Sequence, residues 1–144
     1  MKCALLVLIV PSLVFAAEPV KSDAVVSAEK RVETSLLKPL AERDEQRAMF
    51  SRARVAPRER RVRVTQVSAS TDANEKTFFA FAIDSRFRGA WREADQVGCV
   101  YPASGEIFVK MGETFRPADA LLGKKTQPAA SGVCVSTTPE VAAR

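Results

Sequence analysis

The chain contains no histidine among its 144 residues. Ser-His and Cys-His nucleophile pairs are therefore impossible, and so are metal sites built on imidazole. Cysteine is scarce, with Cys3, Cys99 and Cys134 too far apart for a Cys-x-x-Cys metal or redox motif. No glycine-rich phosphate loop is present. These absences point away from catalysis, and neither a metal nor an organic cofactor is expected.

Long apolar runs are also missing after the first residues. Lys2 precedes an unbroken run from Ala4 to Val10, then Pro11 and a small-residue end in which Val14 and Ala16 occupy the −3 and −1 positions of a signal-peptidase site. The expectation is a signal peptide over 1–16, export to the periplasm or beyond, and no membrane span after cleavage. A span needs about 20 apolar residues, and this run is far shorter. Cleavage leaves 128 residues carrying 21 Lys and Arg against 17 Asp and Glu, a net charge of +4. It also leaves two cysteines. In an oxidising compartment Cys99 and Cys134 are expected to pair, closing a loop of about 35 residues and contributing about 3 kcal/mol.

The mature chain reads as a helical arm (17–56), an antiparallel β-domain (57–123) and a tail (124–144) tied back by Cys134. Ser22 or Asp23 is placed to cap a helix. Val25, Ala28, Val32 and Leu36 form a narrow apolar stripe, and Pro39 predicts a kink or restart. The region 97–116 reads as a three-stranded meander, with turns at Pro102–Gly105 and Met111–Glu113. Before it, Val62 and Val64 alternate with Arg61, Arg63 and Thr65. The run 76–84 is apolar on both faces, with Phe79, Phe81 and Ile83 on one and Phe78, Ala80 and Ala82 on the other. The alanine face is expected to take the arm helix. Residues 85–95 form a connection with room for a short helix, and 117–123 a helical turn or two. The fold class is α+β: an N-terminal helical arm, kinked or broken near Pro39, and a small antiparallel sheet of about five strands with one disulfide. A helix leading into a disulfide-looped sheet is the outline of a type IV pilin, but the long apolar N-terminal helix of that family is absent, so membership is rejected.

Three constellations stand out. Arg86, Phe87, Arg88, Trp91 and Arg92 interleave aromatics with guanidiniums, the composition of a recognition loop for a protein partner. Arg52, Arg54, Arg58, Arg60, Arg61 and Arg63 form a basic stretch that suits a polyanion such as nucleic acid or lipopolysaccharide. Asp84, Glu93 and Asp95 gather carboxylates in one short region. The leading expectation is an exported, non-enzymatic protein-binding module of the envelope-inhibitor or effector-immunity kind. The alternatives are a polyanion-binding module and a structural subunit that docks, or forms a homodimer, through helix 23–55.

Overall fold

The structure is a computed structural model that describes residues 20–51 and 58–137. The expected signal peptide over 1–16, Arg52, Arg54 and the end of the tail lie outside the described residues.

One helical stretch leads into one antiparallel sheet. Helix α1 (Asp23–Val32) is capped by Ser22, whose hydroxyl accepts the Val25 amide, and Asp23 favours its first turn electrostatically. A π turn (Glu33–Leu37) joins it to α2 (Lys38–Phe50), with Pro39 at the start of α2. The helix is therefore not broken at the proline. Widening the preceding turn moves aside the carbonyl that the pyrrolidine ring would strike, and the chain continues. Val25, Ala28, Val32, Leu36 and Leu40 lie buried along this stretch.

The sheet contains β1 (Glu59–Val64), β2 (Ser70–Thr71), β3 (Thr77–Arg86), β4 (Arg92–Val100), β5 (Ile107–Met111) and β6 (Thr114–Pro117). Its order is β1-β3-β4-β5-β6, and the two-residue β2 pairs with the beginning of β3. β1 and β3 pair antiparallel, and β4, β5 and β6 form the expected meander. A short 3-10 helix (Ala118–Leu122) opens after Pro117 and closes at Gly123, as the sequence indicated. The connection between β3 and β4 holds no helix. Instead β3 runs on to Arg86 and β4 begins at Arg92, with a bulge where β4 passes Asp84.

The two faces of β3 differ from expectation in what covers them. The helix packs over Phe79, Phe81 and Ile83, which form one core with the helix stripe, Val62, Val100, Ile107 and Val109. It does not lie over Ala80 and Ala82. Phe79, Phe81 and Ile83 interlocking with this Val- and Leu-lined stripe remove more apolar area from water than alanines facing it would. At Gly98 the fit is close: a Cβ there would collide with the Phe108 carbonyl and sit 2.7 Å from the Phe81 ring.

The opposite face carries a second, smaller cluster of Phe78, Cys99 and Tyr101, with Phe108, Val133 and Cys134 packed on it. Cys99 and Cys134 are disulfide-bonded, which brings the tail over this end of the sheet. The tail is held at other points too. The Ala129 amide donates to the Phe115 carbonyl, and the Thr137 amide to that of Thr71.

Candidate functional site: a basic and aromatic sheet face

Strand alternation sorts the arginines of β1. Arg60 turns toward the helix and pairs with Asp44 at 2.8 Å. Arg61 and Arg63 turn to the face that the helix leaves open, opposite Asp84 and Ala82 on β3. Arg58 and Arg60 line a cleft of about 620 Å³ with Phe87 and the α2 residues Arg43, Asp44 and Arg47. The basic stretch of the sequence is thus divided between two sides of the molecule rather than presented as one row.

Asp84 is the centre of the open face. Its side chain is fully buried, yet it lies beside two guanidiniums that are 49% and 42% exposed. Arg61 Nε donates to Asp84 Oδ2 at 3.0 Å. Arg63 Nε donates to both carboxylate oxygens, at 3.0 and 3.3 Å. The Ala94 amide completes the set at 2.8 Å to Oδ1. Ala94 belongs to the β4 bulge and holds a left-handed φ of 49°, a conformation that disfavours a residue with a Cβ and persists only where the surroundings enforce it. The bulge aims an amide that a regular ladder would have spent on the neighbouring strand.

Burial pushes the Asp84 carboxyl up, but hydrogen bonds from Arg63, the Ala94 amide and Arg61 outweigh it and hold the group at about 2. The Arg63 guanidinium is raised in turn, chiefly by its hydrogen bond to Asp84. Asp84 and Arg63 both keep their charge across the physiological range.

Trp91, half-buried, extends the site. The Arg61 guanidinium lies 4.3 Å from its ring centroid and that of Arg86 lies 4.9 Å away, both within cation–π range. Arg86 also donates to Glu59. The structure therefore unites Arg61 and Arg63 from one sequence constellation with Arg86 and Trp91 from the other. Phe87 goes to the cleft instead, and Arg88 and Arg92 are exposed. Arg92 pairs with Asp95 at 3.5 Å, while Asp95 also accepts the Ser85 hydroxyl at 2.7 Å.

Of the three carboxylates the sequence gathers, Asp84 accepts from Arg61, Arg63 and the Ala94 amide, and Asp95 is engaged with Ser85 and Arg92. Among the described residues no three Cys, Asp or Glu side chains gather in a way that would hold a metal ion. No described helix is long and apolar enough to cross a membrane.

Sequence reasoning singled out Asp84 only as one of three carboxylates in a short region, at the end of the run 76–84, and missed its role between Arg61 and Arg63. The alternation of β1 carried half of that signal. The pairing of β1 with β3, which sets Asp84 opposite Arg61, carried the other half. No known family matches the chain, and no match is found among curated proteins or solved structures.

Proposed function

We propose that the chain is an exported, non-catalytic protein-binding module whose recognition surface is the open sheet face bearing Arg61, Arg63, Arg86 and Trp91. The observation that carries this reading is the Asp84 clamp, in which one buried carboxylate fixes two half-exposed guanidiniums beside a tryptophan. Arginine and tryptophan dominate the energetics of protein interfaces, and side chains already held in place lose less entropy on binding. The export part of the reading rests on the N-terminal sequence and on the Cys99–Cys134 bond, which persists in oxidising compartments. Its non-catalytic part rests on the absence of histidine from the sequence. An inhibitor or immunity protein acts in this way, by occupying a surface rather than by transforming a substrate.

The polyanion alternative is supported less well, because β1 sends Arg60 to one side and Arg61 and Arg63 to the other. A homodimer or envelope assembly through the helix would have to use surface other than the stripe already buried against the sheet.

The test is affinity capture from native envelope with immobilised residues 17–144, alongside the variant Arg61→Ala/Arg63→Ala/Trp91→Ala. A protein retained by the parent chain at high salt, in a 1:1 complex, and lost by the variant supports the reading. Equal retention by both chains, or retention of nucleic acid or lipopolysaccharide that collapses with salt, counts against it.

A further inference from the structure

The proposed recognition face is built for discrete carboxylates. Arg61 and Arg63 each direct Nε to Asp84. Among the described residues no other carboxylate pairs with either guanidinium, so the paired terminal nitrogens, the edge that grips a carboxylate bidentately, remain available. The two residues sit two apart on one strand, so their backbone positions are separated by roughly 6.5 Å. That is also the repeat of side chains at alternate positions of an extended peptide.

The charge balance of the face favours such a peptide over a long polyanion. Arg61, Arg63 and Arg86 are matched by Glu59, Asp84 and Glu93. Glu59 pairs with Arg86, Asp84 with the other two, and Glu93 acts electrostatically on Arg63. A phosphate backbone gains its affinity from an excess of positive charge and counterion release, which a balanced face does not supply. Two fixed forks retain their directional bonds regardless. Beyond them the same face continues over buried Ala82 to the partly exposed Val97, which pairs with Ala82 across β3 and β4. Of that pair, Val97 alone offers apolar surface to an extended chain crossing from the arginines.

Resting on the reading that this face is the recognition surface, we infer that it accepts an extended acidic segment of a partner protein, with carboxylates at alternate positions gripped by Arg61 and Arg63. The measurement is fluorescence anisotropy with the disulfide-bonded chain 17–144 and labelled eight-residue peptides. One has two glutamates at alternate positions, one has them adjacent, one carries glutamines instead, and a single-stranded oligodeoxynucleotide provides the phosphate arm. The alternating peptide should bind at least tenfold tighter than the other three probes. Arg61→Gln/Arg63→Gln should remove that preference. Arg61→Lys/Arg63→Lys keeps both charges beside Asp84, and hence the fold, but lacks the forks, and should also lose most of it. The inference is overturned by equal affinity for alternating and adjacent peptides, by tighter binding of the oligonucleotide, or by lysine variants that bind as the parent does. Capture of a partner that depends on Arg61, Arg63 and Trp91, together with failure of the alternating peptide, would overturn this inference alone and leave the binding-module reading standing.

Discussion

Tyr101 donates its phenolic hydrogen to Asp72 at 2.7 Å, joining the end of β4 to the turn that precedes β3. The same phenolic oxygen accepts the Cys134 amide at 3.0 Å. Asp72 uses its other oxygen for the amides of Asn74 and Lys76 at 2.8 and 2.9 Å. Turn, strand end and disulfide-held tail thus meet at one buried phenol. Burial raises the Tyr101 hydroxyl above its ordinary value, with the hydrogen bond to Asp72 acting in the same direction, so the proton stays where the network needs it.

Removing that oxygen strands two partners. Tyr101→Phe leaves the Cys134 amide and one Asp72 oxygen without their bond while hardly changing the packing. A loss of about 1–3 kcal/mol is expected, read as a lower midpoint in urea unfolding.

Cutting the bridge should loosen the tail before the sheet. Cys99→Ser/Cys134→Ser removes a link between residues 35 apart in sequence and should lower stability by about 3 kcal/mol. Hydrogen exchange by mass spectrometry should show 126–137 deprotected first, while the amides of β3 stay slow.

Acid should test the Asp84 clamp directly. Its folded value of about 2 lies below the roughly 3.9 of an unfolded aspartate, so its contribution is complete above about pH 4. That contribution declines as pH falls toward 2. Urea unfolding of the parent chain and Asp84→Asn between pH 2 and 6 should give a gap of about 2–3 kcal/mol at pH 6 that narrows toward pH 2. A gap that does not change with pH would mean that the carboxylate charge is not what holds the arginines.

Gly98 should tolerate no side chain. A Cβ would meet the Phe108 carbonyl and the Phe81 ring, so Gly98→Val must part β4 from β5 or displace a core aromatic, at about 3 kcal/mol or more. Gly112→Ala offers the contrast, since nothing lies within 4 Å and only its φ of +66° opposes the substitution. About 1 kcal/mol is expected there. Thermal melts of the two variants should separate clearly.

Composition and local pattern by themselves determined the class of this fold. Ser22 and the stripe from Val25 to Leu36 specify the helix, the alternation in 60–65 and 76–84 specifies strands, and Pro and Gly mark the turns between them, because each signal acts over a few residues. The cysteine pair followed from the even count left once the expected signal peptide is set aside. Pairing across the sheet lay beyond that reach. Which face of β3 the helix chose depended on how large and small side chains interlock, and the meeting of Arg61, Arg63, Asp84 and Trp91 depended on register and on the bulge at Ala94. Local propensity carries no information about which strand lies opposite, so only the folded chain could bring one buried carboxylate under two arginines.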